Sequence, residues 1–250
     1  MADRTGWERR PPFTLAGKKA LIFGAETQAG AAIAAAFEEA GASVAAVAAS
    51  RAASGRFEAS WDAERPETIA AGMEALVGRF GAPTILVTAP QAPFAAPIER
   101  TSDADYARVL AVNLGSVFAV CREFLRHFPE GATHGRIICV TTDFGERGVD
   151  HLAAYGAAHG GVHNLVRTLA QETGARDGMT VNGIATGWMT DTAGRGPDEL
   201  GANRLMRFIP MRRFGEPAEV APLALLLAGE GSGYITGQVL HVDGGVSTHL

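Results

Sequence analysis

The stretch that decides the fold is K-A-L-I-F-G-A-E-T-Q-A-G, residues 19–30. Its first five residues form a short apolar run that ends at a glycine, which predicts a buried strand over 19–23. Alanine-rich sequence with two large apolar residues four apart predicts a helix over 29–40, and a glycine ends it. A second apolar run predicts a strand over 43–49. Together these elements form a βαβ unit of the size that binds a mononucleotide.

The same alternation continues to the end of the chain. Apolar runs and helical periodicity predict strands over 84–88, 136–141, 179–185 and 238–242, and helices over 103–128, 152–174 and 217–228. Alternating strands and helices predict a doubly wound α/β fold with a single parallel sheet and helices on both faces. Ligands of such sheets bind beyond the carboxyl ends of the strands, so the residues that follow each strand are the candidate functional residues.

The composition favours one domain over residues 1–250, because no linker, charge run or repeat divides the chain. Its net charge of −5, with both signs interspersed, argues against nucleic acid or an anionic membrane as a partner. The N-terminus lacks the apolar segment of a signal peptide, and no apolar run is long enough to cross a bilayer. The two cysteines lie in a predicted helix and a predicted strand, so we expect a reduced, cytoplasmic protein.

The turn G-A-E-T-Q-A-G, residues 24–30, follows the first strand and opens the first helix. Glycines in such a turn let backbone N–H groups approach a pyrophosphate, and the helix dipole favours its negative charge. Only Gly24 and Gly30 are present, and Gln28 stands where a third glycine would complete the pattern. Two glycines also suit a tight turn with close helix–sheet packing, so both interpretations stay open.

The second strand ends without the acidic residue that would bind an adenosine ribose, because Ala48 and Ala49 stand at the candidate positions. Arg51, in the next loop, is a candidate for contact with a 2′-phosphate or for simple solvation. Asp62 is a candidate for contact with an adenine amino group or for a helix N-cap. The missing acid favours NADP(H) over NAD(H) if the site binds a dinucleotide.

Taken together, these segments resemble the classical short-chain dehydrogenase/reductase family over essentially the whole chain. The resemblance implies a Rossmann-type fold, an NAD(P) cofactor, a small carbonyl or alcohol substrate and assembly into dimers or tetramers. The motifs that carry it are G-A-E-T-Q-A-G at 24–30, V-N-L-G-S-V-F at 112–118, A-A-Y-G-A-A-H at 153–159, V-N-G-I-A-T-G-W-M-T-D-T at 181–192, R-F-G-E-P-A-E-V at 213–220 and Y-I-T-G-Q-V-L-H-V-D-G-G at 234–245.

The resemblance also implies the catalytic positions. In the family a tyrosine exchanges the proton, and a lysine one turn later lowers the pKa of the tyrosine and holds the nicotinamide ribose. A serine binds the substrate oxygen, and an asparagine supports a relay water. Here Tyr155 and Asn113 match, Thr142 takes the serine position and His159 takes the lysine position. The implied cofactor-binding positions are Gly24, Gln28, Gly30, Arg51, Asp62, Ala89, Thr186 and Gly187.

The departures from the family pattern concentrate at one cleft. The fixed charge of a lysine favours a phenolate, whereas a neutral imidazole at His159 does so far less. The family's N-N-A-G segment reads Thr88-Ala89-Pro90-Gln91, in which the proline removes an N–H group. The P-G pair that contacts nicotinamide reads Thr186-Gly187. The sequence therefore predicts a degenerate cofactor and catalytic motif set, with dinucleotide binding in doubt.

Three hypotheses follow. In the first, which we favour, the chain is a degenerate subunit of an oxidoreductase of the hydroxyacyl or alcohol dehydrogenase or ketoreductase class, and it supports an active sister chain. In the second, it is an active NADP(H)-dependent oxidoreductase that uses Tyr155, with His159 in the lysine role. In the third, it is a sensor that binds a small molecule or nucleotide and has no enzymatic activity.

Two further expectations concern metals and the substrate. His159 and His163 share one helix face, but no third ligand has a suitable spacing, so we expect no metal site. The segment at about 187–212 is the expected substrate loop. Its composition does not identify the substrate.

Overall fold

The computed structural model describes residues 13–50, 58–175, 178–193 and 206–248. They form a seven-stranded sheet in the order β3-β2-β1-β4-β5-β6-β7, and every pairing in it is parallel. The strands are β1 (Lys19–Phe23), β2 (Ser43–Ala48), β3 (Ala59–Ser60), β4 (Ile85–Thr88), β5 (Gly135–Thr142), β6 (Met179–Thr186) and β7 (Val239–Val242). The α-helices are α1 (Gln28–Glu39), α2 (Ile69–Phe80), α3 (Asp103–Leu110), α4 (Ser116–Arg126), α5 (Ala153–Thr173), α6 (Thr190–Ala193) and α7 (Ala221–Ala228).

The strand order confirms the predicted doubly wound fold. The chain starts at β1, runs outward to β3, returns to β4 and then runs outward to β7 on the other side. Phe23 and Thr88, the last residues of β1 and β4, are register partners. The loops that follow them therefore lie side by side at the point where the strand order reverses, which is where such sheets bind ligands.

Helices cover both faces of the sheet. On one face, α1 and α7 bury an apolar cluster that includes Ile33, Phe37 and Leu227. On the other face, α2, α4 and α5 bury a cluster that includes Met73 and Phe124. Each fully buried large apolar side chain contributes about 1.5–3 kcal/mol, so these two clusters hold the strands in register beneath the site.

Several features differ from the sequence-based prediction. The helix predicted over 103–128 is interrupted, because a π-helical turn over Ala111–Gly115 separates α3 from α4. Helix α2 is absent from the prediction, although Ile69, Met73 and Leu76 recur along it at helical spacing and are buried. The segment predicted as a helix over 217–228 is a 3₁₀ turn over Pro217–Val220 followed by α7. The remaining predicted strands and helices agree with the structure to within about two residues at their ends, as is usual for boundaries.

The stretch Asp103–Arg126 is long and apolar enough, by length and composition alone, to cross a membrane. In this protein 44% of its most apolar window is buried, and Phe124 lies in the core under the sheet. The buried carboxylate of Glu123 accepts hydrogen bonds from Arg122 and Arg126 at 2.8 and 2.9 Å. This packing is that of a core helix in a sheet-based fold.

Candidate active site

A narrow cleft lies at the carboxyl ends of β1, β4, β5 and β6, where ligands of such sheets bind. Two predicted catalytic residues, Tyr155 and His159, line it, together with the predicted cofactor positions Ala89 and Thr186. Other residues in its wall are Thr27, Gln91, Thr141, Met189 and Asp191. The fold therefore brings part of the predicted site together in one place.

Tyr155 lies in the first turn of α5, with 5% of its surface exposed. Burial raises the pKa of its phenol to about 12. A hydrogen bond with the side chain of Gln91 opposes this rise, and the Asp191 carboxylate adds to it. Gln91 takes the glycine position of the family's N-N-A-G segment, so its side chain reaches a group that a glycine could not.

His159 follows one helical turn later. Its ring centroid lies 4.4 Å from that of Tyr155, with the two planes at 67°. Its Nδ1 is 2.9 Å from the Thr141 hydroxyl, and its Nε2 is buried with no hydrogen-bond partner among the described residues. Burial, followed by the nearby His163, lowers the pKa of the ring to about 3. At pH 7 the imidazole is therefore neutral and supplies no charge to a phenolate.

Two adjacent threonines end β5, and they point to different partners. The Thr142 hydroxyl donates to the Thr186 carbonyl at 2.9 Å, and the Thr186 hydroxyl donates to the Thr141 carbonyl at 3.0 Å. These bonds tie β5 to β6. Successive strand residues face opposite sides, and here Thr141 is the threonine that reaches the cleft and His159. The substrate-binding role that spacing gives to Thr142 stays a prediction.

Asn113 lies in the π-helical turn with only 1% of its surface exposed. Its Oδ1 accepts a hydrogen bond from Ala92 N at 3.0 Å, and its Nδ2 donates to the carbonyls of Ala92 and Val109 at 3.0 and 2.9 Å. The side chain thus fastens the loop after β4 to α3. Single π-helical turns inside α-helices are frequent at functional sites. Support of a relay water by Asn113 stays a prediction.

The turn between β1 and α1 is closely packed. Gly24 has a φ of +87°, and a Cβ on it would clash with the backbone of Ala89. A Cβ on Gly30 would clash with the carbonyl oxygen of Gly24. Thr27 caps α1 by accepting a hydrogen bond from Gly30 N at 3.0 Å, and Gln28 is exposed at the first helical residue. The packing of the turn therefore requires both glycines, whatever the turn binds.

Of the remaining predicted cofactor positions, Asp62 and Gly187 contact neighbouring protein groups, and Arg51 lies outside the described residues. The Asp62 carboxylate pairs with Arg65 Nε at 2.8 Å and accepts a hydrogen bond from Glu64 N at 3.1 Å, so it is engaged in its own turn. A Cβ on Gly187 would lie 2.8 Å from Asp243 Cα, which shows close packing against the segment after β7. The predicted position Arg51 lies outside the described residues, as do residues 194–205 of the predicted substrate loop.

His163, the second buried histidine of α5, contacts the Glu146 carboxylate. His163 Nδ1 lies 3.1 Å from Glu146 Oε1, which also pairs with Arg167 at 3.2 Å. Burial lowers the pKa of the His163 ring. Among the described residues, no group of three or more His, Cys, Asp or Glu side chains could hold a metal ion.

Comparison with known proteins identifies the family to which this cleft belongs. Residues 24–247 match the family model described as enoyl-(acyl carrier protein) reductase. The chain belongs to the short-chain dehydrogenase/reductase (SDR) family. It is 31% identical to the 3-oxoacyl-[acyl-carrier-protein] reductase FabG of Chlamydia trachomatis over 74% of each chain. It is 33% identical to the glucose 1-dehydrogenase of Gluconobacter oxydans over 94% of this chain and 93% of the relative.

Solved structures agree with this assignment. The chain is similar to a blue fluorescent protein from a metagenomic library, solved in complex with NADPH, with a TM-score of 0.84 and 27% identity over 94% of this chain and 99% of the other. The SDR family comprises oxidoreductases of the hydroxyacyl, alcohol and ketoreductase classes. The fold and family that the sequence motifs predict are thereby confirmed.

The SDR dinucleotide fits the described residues better at one end than at the other. At the adenosine end, the backbone of the turn between β1 and α1 lies against β2. The Glu26 carboxylate of this turn lies 3.0 Å from Ala49 N at the end of β2. At the nicotinamide end, the unpartnered Nε2 of His159 suits a hydrogen bond to a ribose hydroxyl. The ammonium that SDR enzymes place there is replaced by a neutral ring.

The buried ring of His159 should affect how the unfolding free energy depends on pH. Its folded-state pKa is about 3 and that of an unfolded histidine is about 6.5, so the unfolded chain binds more protons between these values. Stability is therefore lost as pH falls below 6.5, and His159 accounts for about 2 kcal/mol of the loss between pH 7 and pH 5. His159→Gln should reduce the decline in unfolding free energy by that amount, measured by urea denaturation across this range.

The matched control for this experiment is His151→Asn, which removes a half-exposed histidine whose φ of +65° asparagine tolerates. This variant should keep the wild-type pH profile. The buried His134 and His163 remain in both variants and keep part of the slope. A His159→Gln profile parallel to that of the wild type would show that the ring is not a buried neutral group.

Proposed function

We propose that this chain is an SDR-type subunit whose own proton-transfer site is impaired and which acts as a structural partner of a catalytically active homologous chain. The observation that carries the proposal is the neutral ring of His159 beside Tyr155. In SDR enzymes the nicotinamide supplies or accepts a hydride. The residues of this chain must then move the accompanying proton, and this step is the one they perform poorly.

The raised pKa of the Tyr155 phenol supports impaired proton transfer. With a pKa of about 12, the fraction of Tyr155 that is ionised at pH 7 is about one in 10⁵. An ammonium at position 159 would favour the phenolate by direct charge attraction, because both side chains are buried. Neither nitrogen of the neutral His159 ring does so, since Nδ1 is bonded to Thr141 and Nε2 carries no charge. The Tyr155 phenolate, the base that alcohol oxidation requires, is therefore scarcely populated at pH 7.

The outer face of α4 and α5 supports a role in assembly, because SDR chains assemble through these helices. Phe118 is half exposed there, and the Arg122 guanidinium lies over its ring at 5.8 Å. A groove of about 390 Å³ runs beside it, with Leu125, Leu165 and Leu169 in its wall. We propose that this surface, the α4–α5 face, packs against the same face of a second SDR chain. Burial of Phe118 and of the partly exposed Leu125 and Leu165 would drive this association.

A second candidate function is an active alcohol or carbonyl oxidoreductase that uses NAD(P)(H) and Tyr155 with His159. It is favoured by the position of both side chains in one cleft and by the enzymatic names of the relatives, a 3-oxoacyl reductase and a glucose dehydrogenase. A small-molecule sensor, the third hypothesis, has no observation of its own in its favour.

Turnover measurements separate these candidates. Purified chain should reduce 3-oxoacyl thioesters, and oxidise glucose, at less than about 10⁻² s⁻¹ with either nicotinamide cofactor, whereas typical enzymes reach about 1–10³ s⁻¹. Tyr155→Phe should change this residual rate less than twofold, because the phenol contributes little. His159→Lys should raise the rate at least tenfold, since a cation then stabilises the phenolate.

The controls for this experiment use the same two positions. The gain from His159→Lys should vanish in the double variant with Tyr155→Phe, and His159→Gln, which stays neutral, should show no gain. If the lysine variant does not fold, the comparison of wild type with Tyr155→Phe still decides the question. Rapid wild-type turnover that Tyr155→Phe abolishes would overturn the proposal in favour of the second candidate.

The assembly role predicts the effect of a charge on the α4–α5 face. We propose that, in the absence of a partner chain, the purified chain pairs with itself through this face. Phe118→Glu should then convert this oligomer into a smaller species, because a carboxylate would be buried at an apolar interface. The mass in solution, measured by light scattering after size-exclusion chromatography, reports the change. Ile98→Glu, at an exposed residue outside the groove, is the matched control and should leave the mass unchanged. An unchanged mass in Phe118→Glu would contradict this assignment of the interface.

A further inference from the structure

The carboxylate of Glu26 occupies the place that the second strand leaves without an acid. Both of its oxygens lie 3.0 Å from Ala49 N, directly after the end of β2. The side chain comes from the turn between β1 and α1, not from β2 itself. By sequence position, Glu26 belongs to the turn between β1 and α1. In the folded chain its carboxylate lies at the end of β2.

The backbone of the turn fixes this placement. Gly24 N and Ala25 N both donate to the Val47 carbonyl, at 2.9 and 3.1 Å, which clamps the turn against β2. Thr27 N donates to the Gly24 carbonyl at 3.1 Å and closes the turn. Glu26 stands at the centre of this clamp. Its side chain is only partly exposed, so it is held at the end of β2 and does not sample solvent freely.

We propose that Glu26 receives the adenosine ribose of a bound dinucleotide and selects NAD(H) over NADP(H). An acid at the end of the second strand of a dinucleotide-binding fold accepts hydrogen bonds from ribose hydroxyls. Each Glu26 oxygen keeps lone-pair capacity beyond the Ala49 bond, because a carboxylate has about four acceptor sites. A 2′-phosphate would bring a second negative group against this carboxylate, and the side chain of Ala48 or Ala49 offers no compensating donor.

This inference reverses the cofactor preference expected from the sequence, in which the alanines at the end of β2 favour NADP(H). The NADPH in the structural relative belongs to that protein, and the preference of this chain depends on its own residues. The inference concerns the adenosine end of the cofactor. It therefore stands or falls independently of proton transfer by Tyr155.

Calorimetric titration of the purified full chain tests the proposal with two probes that lack nicotinamide, ADP-ribose and 2′-phospho-ADP-ribose. Wild type should bind ADP-ribose at least tenfold more tightly than its 2′-phosphorylated form. Glu26→Gln keeps an acceptor for Ala49 N and removes the charge, so it should narrow this ratio to threefold or less. Glu39→Gln makes the same change of net charge at the other end of α1, and it should keep the wild-type ratio.

Three results would overturn the proposal. They are equal or tighter binding of 2′-phospho-ADP-ribose to the wild type, an unchanged ratio in Glu26→Gln, and no detectable binding of either probe. If Glu26→Gln does not fold, as judged by circular dichroism, the wild-type ratio for NADH and NADPH decides the question. Because these titrations involve no turnover, an inactive chain that binds ADP-ribose selectively supports both proposals, and an active chain that does so overturns only the proposed impairment.

Discussion

The burial of the His159 ring determines the chemistry of this cleft. Burial, followed by the nearby His163, lowers the pKa of the ring to about 3, so His159 is neutral at physiological pH, with its Nδ1 bonded to the Thr141 hydroxyl. His159 therefore supplies no positive charge to Tyr155, and burial, with an added contribution from the Asp191 carboxylate, raises the pKa of the phenol. The contact with Gln91 only partly opposes that rise. The proposed impairment of proton exchange rests on these few contacts.

The fold does not depend on this chemistry. Gly24 and Gly30 are required because the turn packs against Ala89 and against itself, and the apolar clusters on the two faces of the sheet lie beneath the cleft. Thr142 and Thr186 tie β5 to β6 at the floor of the site through their hydroxyls. A chain can thus keep the SDR architecture and its α4–α5 face while the proton-transfer residues change. The end of β2 where Glu26 meets Ala49, proposed here to receive adenosine, is likewise separate from Tyr155 and His159.

Sequence patterns predicted what lies within one element. An apolar run that ends at a glycine located β1, and a second apolar run located β2. Four-residue spacing placed Tyr155 and His159 on one face of α5. Contacts between loops that are distant in sequence could not be read in this way. The bond of Gln91 to Tyr155 joins the loop after β4 to α5, and that of Glu26 to Ala49 joins the turn after β1 to the end of β2. Only the assembled fold brings these segments together. The π-helical turn around Asn113 was missed because its side-chain pattern is compatible with a continuous helix.

The ionisation of Tyr155 tests the central claim most directly. Absorbance of the phenolate, followed against pH in wild type and in Tyr155→Phe, isolates this group from Tyr106 and Tyr234. The account predicts no difference between the two titrations below the pH at which circular dichroism shows unfolding, or a midpoint near 12 if the fold persists. A Tyr155 phenolate that forms in folded protein with a midpoint below about pH 10, the ordinary value for tyrosine, would contradict it.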